Sequence, residues 1–184
     1  MPIEKGSFSK VWLAQSKRNK KFYAAKIMEK ELIKEKDLEL STMLERKIMK
    51  YGNHPNLTKL EYAFQTSKNI IFVSDFFNGG DLMAFRRLFT EMQGFRFSEN
   101  QAKFYAACII LGVSYLHSNG IVYRDLKDEN VFIDKEGYAV LGDFGLCKEL
   151  KNRPTSICGT LDYVSPEIYK QESYNHMVDW FSFG

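Results

Sequence analysis

A change of hydrophobic pattern at Asn78-Gly79-Gly80 divides this 184-residue chain into two parts with different structural preferences. Before these residues, four short stretches rich in apolar and aromatic side chains predict β-strands at residues 11–14, 22–28, 57–64 and 70–76. After them helical patterns dominate, and the two glycines predict a flexible joint. The sequence therefore predicts an α+β fold, with a small β-rich lobe over residues 1–76 and a mainly helical lobe over residues 77–184.

Two helices are indicated by their periodicity and their ends. Residues 31–50 are highly charged and free of Gly and Pro, and three apolar residues recur four apart, which predicts one amphipathic helix: Leu40, Leu44 and Ile48. The sequence SENQ at residues 98–101 has capping-box spacing and predicts the start of a second helix, which ends at Gly120. Five residues of this helix are expected to face the core: Ala102, Tyr105, Ile109, Gly112 and Leu116.

The composition is ordinary for a soluble globular protein, with 45% apolar and 27% charged residues. The net charge of +3 is too small to indicate nucleic-acid binding, and the basic run KRNKK at residues 17–21 is interpreted as a solvated hairpin turn. Cys108, Cys147 and Cys158 lack C-x-x-C spacing, which favours a reducing compartment over disulfides or a zinc site. No apolar run approaches the ~18 residues that span a bilayer. We therefore expect a soluble, cytoplasmic protein without a membrane-spanning segment.

Residues 123–148 bring carboxylates, lysines and an asparagine together among apolar residues. Such charges are costly to desolvate without a partner, which leaves two interpretations: a metal ion bound with phosphate oxygens, or an exposed salt-bridged loop. The acidic residues include two motifs, Asp125-Leu126-x-x-x-Asn130 and Asp143-Phe144-Gly145. A hairpin is predicted between them, over residues 131–134 and 138–141. Both motifs in this order favour the metal–phosphate interpretation.

A charged residue also lies within a predicted strand of the small lobe. Lys26 needs a partner there, and Glu45 on the charged helix is placed to provide one. Taken alone, Lys26 is more typical of an edge-strand lysine that prevents aggregation, and Glu45 of a solvated helix face. Binding of a nucleoside triphosphate is instead favoured by the ordered set of Lys26, Glu45, Asp125, Asn130 and Asp143.

The chain resembles the catalytic domain of eukaryotic serine/threonine protein kinases of the AGC group, closest to the protein kinase C and Akt branches. The resemblance runs along the whole chain and is carried by GSFSKVWLA, FYAAKIM, NGGDL, GIVYRDLKDEN, DFGLCKE, SICGTLDYVSPE and YNHMVDWFSFG. It implies a bilobal kinase fold, with a small antiparallel β lobe that contains one helix (helix C) and a large helical lobe that is truncated here. It also implies transfer of the γ-phosphate of ATP, with Mg²⁺, to a protein Ser or Thr.

The resemblance assigns roles in phosphoryl transfer to a few residues. Asp125 would accept the proton of the substrate hydroxyl, Lys127 would neutralise the γ-phosphate, and Thr160 would belong to the same catalytic set. Asn130 and Asp143 would bind the metal ions. For ATP, Lys26 held by Glu45 would bind the α- and β-phosphates, and Asp81 would bond the ribose or cap a helix. The remaining expected ATP-site residues are Gly6, Val11, Ala24, Ser74 at the gatekeeper position, Asp75, Phe77 and Phe132.

The same resemblance predicts regulation and substrate contacts. Ser156, with Thr155 as the alternative, would be phosphorylated by an upstream activating kinase, and the phosphate would pair with Arg124 and Lys148. Glu129 and Asp81 would favour basic residues before the target residue. Three further residues would form the pocket for the residue that follows it: Ile157, Leu161 and Val164. Asp179 would anchor the catalytic loop from a helix of the large lobe.

Three departures from the family pattern keep other interpretations open. The phosphate-covering loop, residues 4–9, retains only the middle glycine, Gly6, of G-x-G-x-x-G. Ser165 replaces the usual alanine before Pro166-Glu167, and the chain ends at Gly184, inside the helix that follows Asp179. The alternatives are a nucleotide-binding pseudokinase that acts as a scaffold, or a fragment that does not fold alone and is inactive.

Overall fold

The computed structural model describes residues 2–5, 9–94, 96–151 and 154–184. The chain divides into two compact units, which are described separately. The first unit comprises the residues up to Gly52 together with Thr58–Phe76, and the second comprises Asn53–Leu57 and Phe77–Gly184.

The first unit is built on a five-stranded antiparallel sheet with the order β1-β2-β3-β5-β4. Its strands are β1 (Pro2–Lys5), β2 (Ser9–Gln15), β3 (Phe22–Glu29), β4 (Leu60–Gln65) and β5 (Asn69–Asp75). Three of the four predicted strands are confirmed with small shifts of their ends, whereas β1 was not predicted. The strand predicted over residues 57–64 begins only at Leu60, because Leu57 forms an isolated bridge to Leu141 and the Asn56 carbonyl accepts a hydrogen bond from Leu141 N.

The single helix predicted over residues 31–50 is wrong. The structure has two helices, α1 (Lys30–Glu35) and α2 (Glu39–Tyr51). They are separated at Asp37, whose φ of 51° is left-handed, a conformation that an aspartate tolerates better than most residues. The inward stripe is also only partly correct, since Ile48 is buried but Leu40 is 80% exposed.

The second unit combines helices with two short two-stranded ladders. Its helices are α3 (Leu82–Gln93), α4 (Glu99–Ser118), α5 (Pro166–Tyr169) and α6 (Met177–Phe183), with 3₁₀ turns at Asp128–Asn130 and Leu161–Tyr163. Its strands are β6 (Ile121–Val122), β7 (Val131–Ile133), β8 (Ala139–Leu141) and β9 (Lys148–Glu149), paired as β6 with β9 and β7 with β8. The hairpin predicted around residues 131–141 is therefore confirmed.

Helix α4 packs against β8 in the second unit. Its predicted capping box is confirmed, because the Ser98 hydroxyl accepts from Gln101 N while the Gln101 side chain accepts from Ser98 N. Gly112 faces β8 so closely that a Cβ atom would lie 2.9 Å from Leu141 Cδ1. Of the predicted inward residues, Gly112 and Leu116 are buried and Tyr105 and Ile109 are partly buried. Ala102 is exposed and lines an open cavity together with Tyr105 and Ile109.

The glycines at the predicted joint are packed rather than loose. A Cβ atom on Gly79 would lie 2.8 Å from the Cβ and the carbonyl oxygen of Ile133, and Gly80 accepts a hydrogen bond from Ile133 N at 2.9 Å. Gly80 also has a left-handed φ of 71°. The close approach of β7 to this backbone explains why residues 79 and 80 are glycines.

Each unit has a small apolar cluster of its own. Tyr23, Ala25, Ile71 and Val73 form one on the sheet of the first unit, and Val122, Ile168, Tyr174 and Val178 form one in the second. Within the described ranges, no helix is long and apolar enough to cross a membrane.

Candidate active site

The first unit contains a buried ion pair between a strand and a helix. Lys26 lies in the middle of β3, opposite Val11 of β2 and Phe72 of β5. Its Nζ atom lies 2.7 Å from Oε1 of Glu45 on α2, and the two side chains are 14% and 2% exposed. Charges so far removed from water need a paired partner. The predicted pairing of Lys26 with Glu45 is therefore present, and it orients the ammonium group.

Four of the residues predicted to bind ATP share one face of this sheet. Val11 is opposite Lys26, and Ala24, two residues before Lys26, is opposite Ser74. Opposite residues in antiparallel strands point to the same side of a sheet, and side chains alternate along a strand. Val11, Ala24, Lys26 and Ser74 therefore line one surface, on which the small side chains of Ala24 and Ser74 are paired two positions before and after Lys26 and Phe72.

The two other residues of the first unit that were predicted to bind ATP are Asp75 and Gly6. The carboxylate of Asp75 is engaged, because its Oδ1 lies 2.6 Å from Lys21 Nζ, and this hydrogen bond raises the pKa of Lys21. The contact of the Asp75 backbone with adenine stays a prediction. Gly6 lies outside the described residues.

In the second unit, the four predicted catalytic residues form one hydrogen-bonded network. Asp125 Oδ1 accepts from Thr160 Oγ1 at 2.9 Å, and Asp125 Oδ2 accepts from Asn130 Nδ2 at 2.8 Å. Lys127 Nζ donates to Thr160 Oγ1 at 2.9 Å and lies 3.5 Å from Asp125 Oδ2. The Asp125 side chain is 13% exposed, so a fixed carboxylate still reaches solvent.

A buried carboxylate holds the backbone that precedes this network. Asp179, on α6, is fully buried, and its two oxygens accept from Tyr123 N at 2.8 Å and from Arg124 N at 2.7 Å. Nε2 of His117 lies 2.7 Å from Oδ2 of the same carboxylate. These contacts hold Arg124 at a left-handed φ of 70°, a conformation that costs energy in a non-glycine residue and needs surrounding support.

Asn130 and Asp143, the predicted metal ligands, are linked through backbone hydrogen bonds. Gly142 N donates to the Asn130 carbonyl at 2.9 Å, which places the residue before Asp143 against Asn130. The Asn130 Nδ2 group donates to the carbonyl and carboxylate of Asp125, so its Oδ1 atom remains available as an acceptor. Asp143 is exposed, has a left-handed φ of 44°, and accepts from Gly145 N at 3.2 Å.

Phe144, the middle residue of Asp143-Phe144-Gly145, packs against Tyr123, two residues before Asp125. It is fully buried, with its ring 5.9 Å from that of Tyr123 at an interplanar angle of 75°. The Tyr123 hydroxyl donates to the Gly142 carbonyl. Burial raises the pKa of Tyr123 well above its usual value, so this hydroxyl stays protonated and remains a donor.

Three further predicted ATP-site residues lie together in the second unit. The rings of Phe77 and Phe132 are stacked, with centroids 5.5 Å apart and an angle of 14°. Asp81 forms a backbone bridge to Phe132, and its Oδ1 accepts from Ala84 N at 2.7 Å. The predicted N-cap role of Asp81 is therefore confirmed, while its contact with ribose stays a prediction.

The predicted phosphosite is in contact with one of its two predicted cations. Arg124 Nη1 donates to Ser156 Oγ at 3.0 Å and to Tyr174 OH at 2.9 Å, and Tyr174 OH donates to the Ser156 carbonyl at 3.0 Å. Lys148 is exposed on β9, and in the described part of the chain no hydrogen bond or ion pair joins it to Ser156. Thr155 is exposed.

The predicted substrate-binding residues differ in their surroundings. Glu129 Oε2 is buried and has no hydrogen-bond partner among the described residues. Ile157 and Leu161 are 55% and 76% exposed, as surface contacts require. Val164 instead packs against the apolar cluster of the second unit and is only partly available.

Two neighbours of the site were not predicted from the sequence. His117 contacts Asp179 across 62 residues, and Tyr174 contacts Arg124 across 50 residues. Because both partners are distant in the chain, no local spacing indicates these contacts. Only the tertiary structure identifies them.

Comparisons with known proteins agree with this geometry. The family model described as "Protein kinase domain" matches residues 2–184. The chain is 47% identical to the putative protein kinase C delta type homolog of Drosophila melanogaster, 44% identical to serine/threonine-protein kinase Sgk3 of Mus musculus, and 46% identical to protein kinase C eta type of Homo sapiens. Each match covers 99% of this chain but only 27%, 36% and 26% of the relative, so the chain spans about a quarter to a third of their length.

Proposed function

Because the chain belongs to the protein kinase domain family, we propose that it transfers the γ-phosphoryl group of ATP to a serine or threonine hydroxyl of a protein substrate. The observation that carries this proposal is the network around Asp125. Hydrogen bonds from Asn130 and Thr160 orient both oxygens of a carboxylate that still reaches solvent. Such a carboxylate can accept the proton of an incoming hydroxyl.

Lys127 supplies positive charge in the same network. Its ammonium shares the Thr160 hydroxyl with Asp125 and stays 3.5 Å from the carboxylate, so it is held near the proton acceptor without a short ion pair. A fixed cation at this place stabilises negative charge that develops on phosphoryl oxygens during transfer. We assign Lys127 this electrostatic role and Thr160 the role of positioning both groups.

The donor set fits magnesium. The donors are the carboxylate oxygens of the exposed Asp143 and Oδ1 of Asn130, and hard oxygen donors are the ligands that Mg²⁺ prefers. Among the described residues no three carboxylate, histidine or cysteine side chains cluster as a metal cage, and Mg²⁺ is usually held by one or two protein oxygens plus substrate phosphates. When bound, the ion would neutralise phosphate charge. Asn130 and Asp143 would hold it.

The first unit supplies groups suited to a nucleotide. The Lys26 ammonium, oriented by Glu45, would pair with the α- and β-phosphates. The small side chains of Ala24 and Ser74 on the same sheet face leave a flat surface for an aromatic base. In the second unit, Phe77, Asp81 and Phe132 would contribute to adenine and ribose binding.

Basic residues before the target residue are the proposed substrate preference. Glu129 Oε2 is buried without a hydrogen-bond partner in the described part of the chain, and an unpaired carboxylate oxygen is costly unless a cation reaches it. A substrate arginine would provide that cation. An upstream kinase acting on Ser156 is proposed as a second partner. All three cysteines are free thiols, and on this basis we propose that the protein acts in a reducing, cytosolic environment.

A phosphotransfer assay with γ-labelled ATP, Mg²⁺ and a peptide with arginines before serine tests the proposal. We expect the wild-type protein to label the peptide and Asp125→Asn to lose roughly 10²–10⁴-fold in rate, since general base catalysis contributes that much. Asp134→Asn is the matched control, because Asp134 only caps the β7–β8 turn by accepting from Glu136 N and Tyr138 N. Equal rates for Asp125→Asn and Asp134→Asn would contradict the assignment.

The same preparation separates the pseudokinase alternative. Binding of a fluorescent ATP analogue is measured for the wild type and for Asp143→Asn, with and without Mg²⁺. Mg²⁺-dependent binding together with turnover supports the kinase. Binding without turnover on either a basic or an acidic peptide supports a scaffold instead.

A further inference from the structure

The β2–β3 turn of the first unit is a hydrogen-bonded hairpin tip, here defined as residues Ser16–Lys21. Ser16 N donates to the Lys21 carbonyl and Lys20 N donates to the Ser16 carbonyl, both at 3.0 Å. The Asn19 side chain accepts from Lys21 N at 3.1 Å, and the Gln15 side chain donates to the Lys20 carbonyl at 3.0 Å. The backbone of the tip is thus held by four hydrogen bonds from its own neighbourhood.

The tip carries four cations, of which three have no acidic partner among the residues that the structure describes. Lys21 is engaged with Asp75 at 2.6 Å and lies over the Tyr23 ring, 5.0 Å from its centroid. By contrast, Lys17, Arg18 and Lys20 are exposed, and no carboxylate within the described ranges lies within 4.0 Å of them. The turn therefore projects three positive charges that no carboxylate of the described residues neutralises.

The surroundings of the tip add charge and one apolar ring. Lysine and arginine outnumber carboxylates in the first unit, and the opposite holds in the second. Phe22, the first residue of β3, follows the basic run directly and is 47% exposed. Two features attract a protein to an anionic lipid surface: exposed cations and an exposed aromatic ring beside them. We propose that the hairpin tip docks on a bilayer that contains anionic lipids.

A bilayer fits this tip better than a nucleic acid or an acidic protein segment. Three cations on one turn can neutralise few phosphates, whereas proteins that track a duplex commonly contact six to ten. An extended acidic segment would need a groove, but the tip is a convex turn. A planar surface of anionic headgroups accepts a convex tip and also receives the Phe22 ring at the level of the headgroups. This proposal does not depend on the kinase activity.

Co-sedimentation with vesicles tests the proposal. The purified chain is mixed at low salt with vesicles of phosphatidylcholine alone, or with about 30 mol% phosphatidylserine, a strongly anionic surface. We expect binding only to the anionic vesicles, weakening as salt is added because the interaction is screened. Each cation at such a surface contributes about fivefold, so the triple variant Lys17→Ser/Arg18→Ser/Lys20→Ser should bind about 100-fold more weakly. Phe22→Ser should weaken binding without changing its salt dependence.

A variant that loses three positive charges elsewhere distinguishes a specific effect of the hairpin tip from an effect of the net charge. Lys103→Ser/Lys135→Ser/Lys151→Ser also removes three exposed lysines, but each of these is paired with a carboxylate on its own element or turn. It should bind like the wild type, and matching circular dichroism and thermal melts exclude misfolding of either variant. Three results would overturn the proposal: equal binding to both vesicle types, equal losses in both triple variants, or tighter tip-dependent binding to duplex DNA, RNA or a polyglutamate peptide than to the anionic vesicles.

Discussion

The buried hydroxyl of Ser165 makes no hydrogen bond in the described structure. It is fully buried, its Oγ has no hydrogen-bond partner among the described residues, and it does not cap α5 although it occupies the N-cap position. An unsatisfied buried polar group costs roughly 1–3 kcal/mol. We therefore expect Ser165→Ala to increase the free energy of unfolding by about 1 kcal/mol, measured by urea denaturation.

A second serine provides the opposite control. Ser98 caps α4 through a complete capping box, so Ser98→Ala should lower the free energy of unfolding by about 1 kcal/mol. Equal destabilisation by Ser165→Ala and Ser98→Ala would contradict this expectation, because it would mean that the Ser165 hydroxyl makes a stabilising contact.

His54 should make stability depend on pH in a predictable direction. Its Nδ1 accepts from Asn56 N at 3.2 Å, and burial lowers its pKa below the ordinary 6.5. The unfolded chain therefore binds a proton more readily than the folded chain, so the contribution of His54 is present above pH 6.5 and is lost as pH falls through the folded pKa. The stability difference between wild type and His54→Gln should shrink as pH falls below 6.5. A difference that is constant or grows at lower pH would contradict this expectation.

Site residues could be inferred from the sequence where motif and chemistry coincide, as for Asp125 and Asn130. The pairing of Lys26 with Glu45 could also be inferred, since a cation within a strand requires an anion nearby. Contacts with the site that depend on tertiary packing could not be inferred from the sequence. His117 and Tyr174 reach the site only because α4, α6 and the residues before α6 pack against the catalytic loop.

At the scale of elements, strand composition was more informative than helix periodicity. The central strands β3 and β5 are both rich in apolar and aromatic residues, and β5 also contains three β-branched residues. The break between α1 and α2 was missed because Asp37 adopts a left-handed conformation with neither Gly nor Pro to mark it. A continuous charge pattern over residues 31–50 fits two short helices as well as one long helix.

The segment around Ser156 is the element on which regulation should act. A phosphate on Ser156 would add charge beside Arg124, which already donates to its hydroxyl at 3.0 Å. Hydrogen bonds to charged groups contribute roughly 1.5–3 kcal/mol, so we expect Ser156→Ala to lower the kcat/KM of the activated protein about tenfold or more. Steady-state assays after treatment with an activating kinase measure this loss.

Thr155 is the neighbouring control for this segment. Thr155 is exposed like Ser156, but among the described residues no hydrogen bond joins it to Arg124, so Thr155→Ala should leave kcat/KM unchanged. A loss confined to Thr155→Ala would move the phosphosite by one residue, and no loss in the double variant would remove the proposed regulation.

At the scale of the whole molecule, the chain is expected to unfold in more than one step. The two units have separate apolar clusters, and chains made of several units commonly depart from two-state behaviour. The chain has two tryptophans, Trp12 in the first unit and Trp180 in the second. We expect urea curves from Trp12→Phe and Trp180→Phe, each followed by the fluorescence of the remaining tryptophan, to have different midpoints. Superimposable curves, with circular dichroism in agreement, would show one cooperative transition instead.

The buried carboxylate of Asp179 has a consequence for the exchange of backbone protons with solvent. The amides of Tyr123 and Arg124 donate to a side chain rather than to a strand or helix partner. Both protons should exchange together, and only when α6 withdraws its carboxylate. In a deuterium-exchange experiment these two amides, which lie in the catalytic loop, would therefore report the opening of a helix more than fifty residues further along the chain.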